Sequence, residues 1–167
     1  MCRRLPPAAA LSLALATLVT PGLGAAQDLG AAFRPVDVPA LPDRFCMGSD
    51  KVQYLGRVRM NAETARSNLA LAEQQLAAIP REQAAYAATV SRARGPVQRA
   101  VNAGQMGEAA PLAVLIGAFE AELDALPQMA AELETARAEN SDRAARLSEL
   151  EARARAMPVA ACPADGS

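Results

Sequence analysis

The sequence predicts an all-α fold: a long antiparallel helical hairpin of coiled-coil type with proline kinks, an irregular N-terminal arm and a short tail. Three observations predict it. Leu55, Val58, Ala62, Ala65, Leu69, Ala72, Leu76 and Ile79 alternate spacings of three and four, which is a heptad seam with Leu55 at an a position and Val58 at a d position. A second run of the same period follows a cluster of turn residues. The apolar content is mostly Ala and Leu, with no Trp, no His, two Tyr and three Phe. Ala and Leu favour helix and let helices approach closely, whereas a compact mixed core is usually anchored by aromatics.

Residues 1–26 read as a secretory signal peptide. Met1-Cys2-Arg3-Arg4 is a short basic start, residues 8–19 are apolar, and Pro21-Gly22 breaks any helix. Gly24 and Ala26 supply small residues for cleavage after Ala26. The apolar run is shorter than the roughly 20 residues a spanning helix needs, so no stable membrane anchor is expected after cleavage. The expected location is periplasmic or secreted. Sixteen Arg beside the single Lys51 suggest a GC-rich bacterial genome.

Residues 27–49 contain Pro35, Pro39, Pro42, Gly30 and Gly48 and show no periodicity. They read as an extended, partly polyproline arm with Phe33 and Phe45 as its only large anchors, either lying on the helices or disordered. The helical region follows, 50–157, with arms of about 50–101 and 111–157. Ser49 or Asp50 can cap the first arm. Its frame continues through Gln83, Tyr86, Val90, Ala93, Val97 and Ala100. Of ten large apolar residues between Leu55 and Ala100, eight occupy a or d, where two slots in seven would give about three by chance. Pro80 therefore kinks the helix or starts a new one in the same frame.

The pattern stops around residues 102–110, where Asn102, Gly104 and Gly107 supply turn chemistry. Leu112, Ile116, Phe119, Leu123, Leu126, Ala130 and Leu133 then mark the second seam. It meets Arg137 and Asn140 before Ala144, Leu147, Leu150, Ala154 and Met157 resume it, and Pro158 ends it. Residues 158–167 form the tail.

Folded at Gly104, the arms match. Pro80 faces Pro127, Pro96 faces Pro111, and Cys46 meets Cys162 at the open end. After signal cleavage two cysteines remain, and an even count in an exported protein favours a disulfide. Unrelated thiols and bridges between chains are the alternatives, and the antiparallel register favours a clamp within one chain. Such a bridge stabilises by roughly 4 to 5 kcal/mol in the chain-entropy model. Residues 50–103 carry net +4 and residues 108–157 net −5. Arg57 is then expected near Glu149 and Glu151, Arg66 near Asp142, Glu63 near Arg143 and Arg146, and Arg99 near Glu108. Asn140, near Ser67 and Asn68, can fix the register.

The chemistry is limited. Without His there is no imidazole base and no His-ligated metal. No nucleotide loop, zinc spacing or nucleophile elbow is present, and the scattered methionines suit packing better than metal binding. No catalytic residue, metal or cofactor is expected. A net charge of −1 gives no reason to expect nucleic-acid binding.

One stretch exceeds what a seam requires. Residues 112–119 are apolar all round, whereas a hairpin buries one stripe. Either residues 96–111 fold back over it, or Leu112, Val114, Leu115, Ile116 and Phe119, rimmed by Arg92, Arg94 and Arg99, form a surface for a protein partner or for homodimerisation. Because a bare two-helix hairpin buries little apolar surface, a folded-back bundle or a dimer is expected.

The Ala/Leu/Gln-rich run 68–79 resembles the α-hairpins of periplasmic adaptor subunits of efflux and secretion systems, whose flanking β-rich lipoyl-type halves this chain lacks. Size, leader and long helices are similar to those of Skp-type periplasmic chaperones, which are strongly basic and carry a small β body. The expected function is therefore a non-enzymatic exported scaffold, adaptor or spacer of the bacterial envelope acting through protein contacts. The alternatives are a holder of unfolded clients and, from another class, a small-ligand carrier or enzyme.

Overall fold

A computed structural model describes residues 32–161. The signal peptide, its cleavage site after Ala26, residues 27–31 of the arm and Cys162 with the rest of the tail lie outside the described residues. Within them the chain is all-helical: α1 (Gly48–Asn102) and α2 (Met106–Ala156) pack against each other as an antiparallel hairpin. At 1.5 Å per residue, each helix is roughly 80 Å long.

The seam is visible in the burial pattern. In α1, Val58, Ala62, Ala65, Ala72, Ile79 and Val90 are buried, all at a or d positions. In α2, Leu126, Leu133, Asn140, Leu147 and Ala154 are buried at seven-residue intervals, joined by Met129. Pro80 and Pro96 lie inside α1, and Pro111 and Pro127 inside α2, without ending either helix. All four are exposed, so the carbonyls they deprive of a partner face water and the seam keeps its frame.

The turn is shorter than the sequence suggests, occupying residues 103–105. Gly104 takes a left-handed φ of 71°. Its N–H donates to the Val101 carbonyl at 3.0 Å, and the Gln105 N–H donates to the Ala100 carbonyl at 2.9 Å. This is the Schellman pairing that closes a helix with glycine just beyond its end. The Gln105 carbonyl immediately accepts from the Glu108 and Ala109 N–H groups, so α2 starts at Met106 instead of Pro111. Pro111 forfeits one hydrogen bond close to the helix start, where it is tolerated. Because both helices run unbroken to this turn, the tip does not fold back over residues 112–119, which corrects that expectation.

Gly104 is the pivot of the register. Asn68 and Asn140 stand equally far from it along the chain and are hydrogen-bonded, and so do Lys51 and the Met157 carbonyl it donates to. Charge pairing follows a different pattern from the expected one. Arg59 bonds Glu151 at 2.5 Å and Arg94 bonds Glu120 at 2.6 Å across the hairpin. Arg143, Arg146, Arg153 and Arg155 instead bond acids four residues back on α2. Arg66 reaches Ser148, and Arg57, Glu63 and Arg99 form no ion pair among the described residues. An i,i+4 pair on one helix needs less ordering of long side chains than a pair across helices.

The arm supplies a third layer. Val36 and Val38 pack on the basal cluster of Val58, Ala62, Ala65 and Leu147, and Phe33 packs on the cluster of Ile79, Leu126, Met129 and Leu133. Tyr54 donates to the Pro39 carbonyl at 3.3 Å and its ring meets Phe45 with centroids 5.6 Å apart. Asn68 pairs with the Arg34 backbone, accepting from its N–H at 3.1 Å and donating to its carbonyl at 2.8 Å.

At the foot, Phe45 and Val159 form a parallel bridge, and the Ala160 N–H donates to the Phe45 carbonyl at 2.9 Å. Lys51 donates to the Arg155 and Met157 carbonyls and so closes the C-terminus of α2 with a cation. Neither Ser49 nor Asp50 caps α1, which begins at Gly48 after an extended Met47 with no side-chain cap. Cys46 is disulfide-bonded. Its expected partner, Cys162, lies outside the described residues.

Candidate interaction surface

The two flanks of the hairpin differ. One carries the pairs Arg59–Glu151, Arg66–Ser148 and Arg94–Glu120. The other carries the arm, held by Tyr54 and Asn68. A column of α1 side chains seven residues apart runs along this second flank through Tyr54, Asn61, Asn68, Gln75, Glu82 and Thr89. The arm covers its basal part, which is why Asn61 and Asn68 are buried although they lie beside the seam instead of in it.

Above Phe33 the described structure of this flank changes character. The Gln75 Oε1 and Glu82 Oε2 atoms are buried without a hydrogen-bond partner. Burial raises the Glu82 carboxyl above the usual carboxylate range, and the negative charge of Glu122 across the groove raises it further. Burial likewise raises the Tyr86 phenol, reinforced by Glu82 and Glu122. Beyond this charged step the seam is thin. Tyr86 and Phe119 meet with ring centroids 5.4 Å apart, and past them, among the described residues, only Val90 and Ala109 are buried.

The expected surface residues divide accordingly. Leu112, Leu115, Ile116 and Phe119 are half-buried, and Val114 is 75% exposed. Arg92, Arg94 and Arg99 are exposed. Two apolar residues not anticipated from sequence complete the tip: Val101 and Met106, 42% and 60% exposed on either side of the turn. Val101 stands outside the seam of the first arm, which was its signal, whereas Met106 was hidden by the reading of residues 102–110 as a turn. The tip therefore carries the predicted stretch in one place, but its seam members point partly inward and its outer face is made by Val114, Val101 and Met106.

Elsewhere, an open groove of about 390 Å³ lies beside the arm, lined by Ala32, Arg34, Ser67, Asn68, Leu71 and Gln74. The amide of Asn68 there is already engaged with Arg34 and Asn140. Among the described residues no group of three or more acidic or Cys side chains could hold a metal ion, and no helix is long and apolar enough to cross a membrane.

The fold defines a class, the two-helix hairpin clasped at its base by an extended arm. No protein-family model, curated protein or solved structure matches the chain.

Proposed function

We propose that the chain is an exported, non-enzymatic scaffold, adaptor or spacer of the bacterial envelope that binds protein through the tip of its hairpin. One observation carries the reading: the division of the hairpin into a three-layered base and a two-layered tip. The base is fixed by the arm, the Asn68–Asn140 bond and the Lys51 cap. The tip displays Val101, Met106 and Val114 beside Arg92 and Arg99. A rigid rod with an apolar, charge-rimmed end suits a protein that holds a contact at a distance from its foot.

The test places a photo-crosslinker at Val114 and recovers adducts from the envelope fraction. A discrete adduct that disappears with Leu115→Asp or Ile116→Asp, while the helical signal is retained, supports the reading. A broad smear of unrelated unfolded proteins supports the client holder instead. Unchanged adducts in both folded variants, or no adduct at all, contradict a tip contact.

A further inference from the structure

We propose that the occupant of the tip is a second copy of this chain, docked side by side along the arm flank, tipward of the described part of the arm, with the two tips level. This deepens the scaffold reading and rests on it.

The tip half of the hairpin is divided by charge. Residues 83–107 carry Arg92, Arg94 and Arg99 and no carboxylate, whereas residues 108–136 carry Glu108, Glu120, Glu122, Asp124, Glu132 and Glu134 and no cation. Among the described residues only Arg94 and Glu120 use this opposition, and they do so on the flank away from the arm. On the arm flank the charges stay uncompensated. Arg92 and Arg99 stand three residues beyond Thr89 and Pro96, the continuation of the Asn61–Asn68 column, and so share its flank. Glu122 stands one residue before the seam position Leu123, as Glu82 stands before Gln83, and so lies on the same flank of the antiparallel pair. Leu115 and Glu108, one and two heptads before Glu122, share that face of α2.

A surface positive on one helix and negative on the other, along a shared groove, is complementary to itself under a two-fold axis. With that axis parallel to the helices, α1 of each copy lies against α2 of the other, and every contact occurs twice. Arg99 and Glu108 stand almost equally far from Gly104, so Arg99 of one copy comes level with Glu108 of the second. Leu112 and Leu115, half-buried in the single hairpin, then face α1 of the second copy near the levels of Pro96 and Ala93, completing a four-helix tip in which each half-open seam is covered. The arm fills the same groove lower down, so the second copy continues a layer the fold already has. The segment between Pro80 and the turn is roughly 33 Å of helix, long enough to support an interface of ordinary size.

The test is a charge swap read by sedimentation velocity on the processed full chain. The wild type is expected to dimerise, with dissociation promoted by salt. Arg99→Glu alone and Glu108→Arg alone each place like charges opposite one another and weaken dimerisation roughly tenfold or more. Mixing the two variants restores it. The carboxylate introduced at position 99 of one copy then meets the guanidinium introduced at position 108 of the other, and the native Glu108 and Arg99 meet at the symmetric site. Within either variant chain positions 99 and 108 still carry like charges, so rescue on mixing reports contact between copies. A wild type monomeric throughout the concentration series, or variants that dimerise like the wild type, overturns the proposal. A monomeric protein that still yields the discrete Val114 adduct with a different envelope protein overturns this inference and leaves the scaffold reading standing.

Discussion

The carboxamide of Asn68 donates to Asn140 Oδ1 at 3.1 Å across the buried seam while its second N–H holds the Arg34 carbonyl. Its oxygen accepts from the Arg34 N–H, and Asn140 donates in turn to the Ala136 carbonyl at 2.8 Å. One side chain thereby ties α1, α2 and the arm into one register, with its two N–H groups and its oxygen all paired. The Ala-rich seam around it would tolerate a slip of one heptad, and a buried amide pair that bonds at one level only opposes such a slip.

Replacing Asn68 by Ala is therefore expected to destabilise the chain by about 2 to 3 kcal/mol, because Asn140 and the Arg34 backbone lose partners in a dry site. The paired change Asn68→Leu with Asn140→Leu should cost less than Asn68→Leu alone, since Asn140 is then not stranded across the seam while the loss at the Arg34 backbone is common to both. Urea unfolding of the three variants measures the difference. A double variant less stable than Asn68→Leu alone would contradict the role assigned to the pair.

Stability should also follow the seam. Leu133 and Leu147 are fully buried, and truncating either to Ala is expected to cost about 2 to 5 kcal/mol. Val114→Ala, at 75% exposure, should change stability by no more than about 0.5 kcal/mol. Thermal unfolding of these variants distinguishes a packed residue from a presented one.

The pH dependence has two opposed parts. Glu82 is raised in the folded chain above the ordinary value of 4.5, so its stabilising contribution is present below that value and lost as pH rises through the raised one. Glu151 is lowered, first by its hydrogen bond from Arg59, so its contribution is present above the ordinary value and lost as pH falls through the lowered one. Glu82→Gln should accordingly stabilise at neutral pH and converge on the wild type in acid below about pH 4.5. Arg59→Ala should destabilise at neutral pH and lose that effect at still lower pH. Chemical denaturation across this range gives both signs.

Lys51→Met should loosen the foot by about 1 kcal/mol, since the Arg155 and Met157 carbonyls lose a charged donor at the negative end of α2. Faster amide exchange in residues 154–160, with little change beyond Ile79, is the expected local signature.

The hairpin and its register were legible because a heptad seam and two sets of matching prolines survive as one-dimensional spacing. Asn140 stood out for the same reason, as a polar residue in an apolar frame. The course of the arm had no such trace. Its path is set by Asn68 and Tyr54 on the far side of a chain reversal, and an extended segment has no period of its own to match against a helix. The ion pairs were misassigned because arm-level charge balance ignores nearer acids on the same helix. The early start of α2 was hidden by Gly107 and Pro111, which resemble turn residues until the Schellman closure at Gly104 is seen. For the surface, the apolar run 112–119 marked the right end of the molecule. The exposed side chains within that end depend on how the two helices rotate toward each other.

The account stands most directly on the contrast between a clasped base and an open tip. Amide hydrogen exchange along α1, at concentrations too low for association, measures that contrast residue by residue. The basal half, residues 54–79, should exchange only with global unfolding, and residues 83–101 should exchange through smaller local openings. Equal protection along the helix, or a tip more protected than the base, would contradict it.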